Sequence, residues 1–121
     1  MPFIEVIDCV SDEEKREVAT RSMTEALCGA YEIKPEIVTC YYFCLPDYSY
    51  GHAGKHGKNA EKFRVFVKVH AFPRPQVLKQ KAATALTEAL VAAYGAAPKD
   101  VIVYFIDRDP SDAFHGGTAS A

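Results

Sequence analysis

Residues 24–31, Thr24-Glu25-Ala26-Leu27-Cys28-Gly29-Ala30-Tyr31, return 63 positions later as Thr87-Glu88-Ala89-Leu90-Val91-Ala92-Ala93-Tyr94. Extending the overlap in both directions aligns Pro2–Phe43 with Val65–Ile106 without a gap, and 12 of the 42 pairs are identical. Pro35 meets Pro98, Val38 meets Val101 and Tyr41 meets Tyr104. A chain of 121 residues that repeats itself this way is one domain made of two structural copies, repeat one at 2–43 and repeat two at 65–121, with a linker at 44–64.

Each copy opens on an apolar run rich in β-branched and aromatic residues, Phe3–Ile7 and Val65–Val69, which predicts a strand. A helix follows. Ser11 with Glu14 three residues on resembles a capping box, and Pro75 suits a first helical turn. Apolar side chains then recur at helical spacing, Ala19, Met23, Ala26, Leu27 and Ala30 in one copy and Leu78, Ala82, Ala85, Leu86, Ala89, Leu90 and Ala93 in the other. Pro35 and Pro98 mark loops, and Val38–Phe43 and Val101–Ile106 predict second strands. The unit is β-α-β, twice. Right-handed crossovers make the strands of each unit parallel, so the expected α/β (α+β) fold is a four-stranded sheet with both helices on one face. The other face stays uncovered and calls for oligomerisation, most simply into a closed ring. The linker core, Leu45–Lys62, has no core pattern and reads as a loop or short hairpin.

Composition excludes several partners. Apolar residues make up 49% of the chain, the formal net charge is −2 and the pI about 6.1, with both signs interspersed. No basic face advertises nucleic acid or an anionic membrane. The first ten residues show neither signal-peptide nor transit-peptide character, which makes a cytoplasmic site the expectation. Four cysteines without framework spacing suggest reduced, mostly buried thiols; Cys40 and Cys44 on one strand would stand about 13 Å apart, too far to bridge. Cys40, Cys44, His52 and His56 imitate a zinc pattern, but the central gap is short for a finger and a strand cannot wrap a tetrahedral ion, so no metal is expected. His52, Lys55, His56, Lys58 and Lys62 read as a solvated basic loop, and Asp12–Arg16 with Glu17 and Arg21 as the wet face of the first helix.

An initiator Met1 before Pro2 on an apolar strand, a duplicated β-α-β unit of about 60 residues and the tail Phe114-His115-Gly116-Gly117 together resemble the tautomerase superfamily. The likeness spans nearly the whole chain and is greatest for fused-repeat members such as the malonate semialdehyde decarboxylase, cis-3-chloroacrylic acid dehalogenase and macrophage migration inhibitory factor groups. It implies a homotrimer, no cofactor and an amino-terminal proline as catalytic group. Removal of Met1 leaves a secondary amine with an ordinary pKa of about 8, which burial and a nearby arginine lower toward neutrality. Such an amine can shuttle a proton.

The same resemblance assigns further residues. Arg74, held between Pro73 and Pro75, matches the carboxylate-binding arginine, whose planar fork suits a substrate carboxylate. Arg64 and Arg108 are its rivals, one beginning the third strand and the other beyond the fourth. Decarboxylase members carry Arg-Pro-Arg where this chain has Phe72-Pro73-Arg74, and their aspartate is replaced by Ile37; the first-copy counterpart of Arg74 is Ser11. The water-activating glutamate of dehalogenases would fall near His115 or Gly116. Decarboxylation, hydration and dehalogenation are therefore disfavoured. Tyr104 aligns with a dehalogenase active-site tyrosine and shares a strand face with Ile102, although its duplicate Tyr41 leaves a packing role equally open. Phe114 matches the aromatic that closes the pocket, and Phe72 adds an aromatic wall. Pro2, Arg74 and Tyr104 are thus the expected catalytic residues, with Arg74, Phe72, Ile102 and Phe114 binding substrate. The expected activity is keto-enol tautomerisation of a small α-keto acid, such as an arylpyruvate or a muconate-like dienol. The alternatives are a lyase or hydratase on the same scaffold, or a non-catalytic protein of the migration-inhibitory-factor kind.

Overall fold

The computed structural model describes residues 1–9 and 12–119. In chain order the main elements are β1 (Phe3–Asp8), α1 (Glu13–Tyr31), β2 (Thr39–Cys44), β3 (Gly51–His52), β4 (Lys55–His56), β5 (Val65–Ala71), α2 (Gln76–Tyr94), β6 (Val101–Asp107), β7 (Phe114–His115) and β8 (Thr118–Ala119). The long strands form one sheet in the order β2-β1-β5-β6. Within each repeat the strands run parallel, Phe3 opposite Thr39 and Val65 opposite Val101. Between repeats β1 and β5 are antiparallel, with Phe3 opposite His70 and Glu5 opposite Lys68. The linker folds into the β3–β4 hairpin, braced by Tyr50 against Phe63 at 4.9 Å.

Alternation along the strands divides the sheet into a dry face and an open one. Ile4 and Val6 of β1 and Val65, Val67 and Val69 of β5 are buried under Met23 and Leu27 of α1 and Leu86 and Leu90 of α2. Both helices therefore cover the same face. On the other face Tyr41, Phe43 and Tyr104 are more than half exposed.

The helix ends refine the sequence reading. Ser11 lies outside the described residues, and the cap of α1 is Asp12, whose carboxylate accepts from the Lys15 amide at 3.1 Å. Pro75 takes the extended cap position of α2 rather than a place in its first turn. The repeats diverge where the helices stop: the backbone turns left-handed after each, at Gly95 (φ 67°) in the second copy but at Glu32 (φ 54°) in the first. Glycine adopts that turn freely, whereas glutamate bears the clash of its Cβ.

Arg16 corrects the picture of a wholly wet α1 surface. Asp8, at the end of β1, is completely buried, and Arg16 grips it with Nε at 3.1 Å from Oδ2 and Nη2 at 2.8 Å from Oδ1. Tyr94 of α2 donates to the same carboxylate at 2.7 Å. Burial, then the Asp8 contact, push the Tyr94 phenol well above its ordinary range. Tyr42, stacked under the Arg16 guanidinium, is raised by burial to about 12. One carboxylate thus joins β1 to both helices. The cysteines also differ from expectation, since Cys9 and Cys44 are exposed; all four thiols are free.

Candidate active site

Parallel pairing within repeats and antiparallel pairing between them bring the start of β1, the start of β2 and the ends of β5 and β6 to one edge of the sheet. A cleft of about 370 Å³ opens there, with Pro2 at its base. Pro2 is buried, because its ring continues the dry-face alternation of Ile4 and Val6. Phe3, Ile37, Thr39 and Tyr41 form one side of the cleft, and His70, Ala71 and Phe72 the other. The segment after β6 closes it with Arg108, Asp112, Ala113, Phe114 and His115. The Arg108 amide donates to the Ala71 carbonyl at 2.8 Å, which ties this segment to β5. Met1 lies across the opening, its Sδ 2.8 Å from His115 Nδ1.

Of the six residues expected at the site, Pro2, Phe72 and Phe114 meet in this cleft, and Arg74, Tyr104 and Ile102 do not line it. Ile37, which stands where decarboxylases carry an acid, presents an apolar surface to it. Arg74 is near but turned aside. Its Nη1 donates to the Phe72 carbonyl at 2.7 Å, and its guanidinium stacks 4.6 Å above the ring of buried Tyr31. Burial raises the Tyr31 phenol, and Arg74 partly offsets that. Arg108, considered a rival on sequence grounds, is the arginine that lines the cleft.

Tyr104 and Ile102 lie elsewhere. Both are on the open face of edge strand β6, opposite Lys68 and Phe66, and Tyr104 meets the Phe66 ring edge-on at 5.0 Å. Neither borders the cleft of its own chain. Sequence reasoning also passed over His70 and Asp112, which do border it. The signal for His70 lay in the register: an antiparallel pairing of the two repeats puts the end of β5 beside the start of β1.

Among the described residues no three His, Cys, Asp or Glu side chains converge to hold a metal ion. No helix among them is long and apolar enough to cross a membrane.

No family model matches the sequence, and neither does any curated protein sequence. Solved structures do. A native fused 4-OT superposes with a TM-score of 0.90 at 19% identity, over 98% of this chain and 95% of that one. Pt0534 inactivated by 2-oxo-3-pentynoate gives 0.85 at 16% identity, over 98% and 94%. N1, a member of the cis-3-chloroacrylic acid dehalogenase family, gives 0.85 at 15% identity, over 98% and 83%. Fused 4-OT proteins solved as symmetric and asymmetric trimers, and a macrophage migration inhibitory factor from Toxoplasma gondii, share the fold as well. The chain has the tautomerase-superfamily fold, with two fused β-α-β units.

Proposed function

We propose that this chain is an enzyme that tautomerises a small α-keto acid, with Pro2, freed of Met1, as the group that carries the proton. The observation that carries the reading is the placement of Pro2: a buried residue at the base of a cleft that also offers a cation, Arg108, and apolar walls from Ile37, Phe72 and Phe114. Burial disfavours the ammonium form of the amine, so part of the population is neutral near pH 7 and can take a proton. Arg108 pairs with the substrate carboxylate and draws charge from the adjoining carbonyl. The neutral amine removes a proton from the carbon beside that carbonyl, giving the enolate, and the resulting ammonium protonates its oxygen; ketonisation runs the same steps in reverse. The 2-oxo acid that inactivated Pt0534 belongs to the substrate class proposed here.

We further propose a homotrimer. The sheet face away from the helices exposes Tyr41, Phe43 and Tyr104, a large apolar surface to leave in water, and fused 4-OT proteins of this fold form trimers. Tyr104 and Ile102 do not line the cleft of their own chain, so their part in catalysis would come from a neighbouring copy. Sedimentation equilibrium should give three times the 13.4 kDa chain mass; a stable monomer at micromolar concentration would contradict this assembly. A cytoplasmic location accords with four unbridged thiols.

Asp112 supports a second reading, hydration, since a carboxylate at the cleft can activate water. The first reading is tested by following arylpyruvate enol absorbance with protein whose intact mass shows Met1 removed. Pro2→Ala should slow turnover by about 100-fold or more, the usual loss with a general base. Wild-type turnover in a correctly folded Pro2→Ala protein removes Pro2 from the mechanism.

A further inference from the structure

One polar cluster interrupts the apolar open face: Glu5 on β1 with Lys68 and His70 on β5. His70 Nε2 lies 2.6 Å from Glu5 Oε1, and Lys68 Nζ lies 3.9 Å from Glu5 Oε2. The His70 imidazole is stacked on Phe3, with centroids 4.1 Å apart and planes 7° from parallel. A carboxylate at one end and an aromatic face along its side fix the ring. Its remaining nitrogen, Nδ1, is closed off from solvent and has no hydrogen-bond partner among the described residues. An unpaired buried nitrogen is costly, so its presence calls for a physical reason.

In the tautomer whose Nε2–H donates to the Glu5 carboxylate, Nδ1 is the ring's acceptor. His70 borders the same cleft as Pro2, and its stacked partner Phe3 is the residue next to Pro2. While Met1 is attached, the Pro2 nitrogen is a tertiary amide with no hydrogen to give. Removal of Met1 turns it into a secondary amine whose ammonium form carries two N–H groups. We propose that Glu5 and His70 are a positioning pair, in which Nδ1 accepts one of those N–H groups and so sets the proton affinity of Pro2. This rests on the Pro2 reading above.

A hydrogen bond to the charged form favours it, and the Glu5 carboxylate acts in the same direction. Lys68 and Arg108 oppose it, and Tyr41, Asp112 and His115 are the other titratable groups at the cleft. The pair thereby offsets part of the lowering that burial causes, so that the ammonium form stays populated beside the neutral amine. A shuttle needs both protonation states within reach.

The test is a nitrogen-NMR titration of Pro2 in proline-labelled protein freed of Met1, comparing wild type with Glu5→Gln and His70→Gln. Glutamine keeps the shape at position 5 without its charge, and at position 70 it removes the Nδ1 acceptor. Each substitution should lower the Pro2 midpoint by about one pH unit, the acid limb of the turnover profile moving with it. Should His70→Gln misfold, Glu5→Gln carries the test alone. An unmoved midpoint in the folded variants overturns the pair even if Pro2→Ala abolishes turnover. Conversely, a lowered midpoint together with full turnover by Pro2→Ala would keep the pair and refute the catalytic role of Pro2.

Discussion

On the proposed activity, Arg108→Ala should cost the protein its hold on a keto-acid carboxylate, while Arg74→Ala should leave most of it. The magnitude follows from what each guanidinium already does. Arg74 donates to the Phe72 carbonyl and stacks on Tyr31. To reach a substrate it would forgo a charge-assisted hydrogen bond of roughly 1.5 kcal/mol and a cation–π contact of about 1 kcal/mol. A new bond to a carboxylate returns roughly 1.5 to 3 kcal/mol, so the exchange is close to neutral. Arg108 already borders the cleft, and among the described residues its guanidinium has no hydrogen bond or ion pair to give up. Its loss should therefore lower kcat/KM for an α-keto acid by about 10- to 100-fold, against threefold or less for Arg74→Ala. Lysine at position 108 should restore part of the loss, lacking the planar fork. The assay compares each variant on the keto acid and on its methyl ester, which has no charge to hold. Equal slowing of acid and ester by Arg108→Ala, or a larger and acid-selective loss in Arg74→Ala, would refute this reasoning and return the carboxylate to Arg74.

Two further outcomes concern stability. Arg16→Ala strands a fully buried carboxylate with Tyr94 as its remaining side-chain partner among the described residues, and denaturant unfolding should show a loss of about 3 kcal/mol; a loss below 1 kcal/mol would mean that Asp8 does not depend on Arg16. Glu32→Gly, which gives α1 the terminus that Gly95 gives α2, should raise stability by about 1 kcal/mol, and a lowered melting temperature would contradict the strain assigned to Glu32.

The fold was readable because a duplicated sequence states its secondary structure twice. Thr24–Tyr31 and Thr87–Tyr94 set the helix positions, and the apolar runs beside them became β1, β2, β5 and β6 within about two residues. Pairing across the two repeats was harder to read, since nothing local in β1 or β5 says that Phe3 will face His70. The composition of the cleft depended on that register. Pro2 and Phe114 were singled out by the family resemblance, one at the head of the first strand and one in the tail beyond the repeat, and Phe72 by its place in the Phe72-Pro73-Arg74 run; all three line the cleft. Arg108 was weighed below Arg74 because flanking prolines constrain a backbone but do not aim a long side chain; Tyr31 and the Phe72 carbonyl do that. The Asp8–Arg16–Tyr94 network spans 86 positions and has no counterpart in the repeat, so a local reading assigned Arg16 to solvent.

The central claim, a reactive amine at Pro2, is tested most directly by peptide mapping after incubation with 2-oxo-3-pentynoate. The neutral amine should add across the activated triple bond, the reagent being retained whole and its carboxylate held by the cleft cation. The account predicts one adduct per chain, on Pro2, in protein freed of Met1, with tautomerase activity lost in step. An unmodified Pro2, or labelling confined to the exposed thiols Cys9 and Cys44, would contradict it.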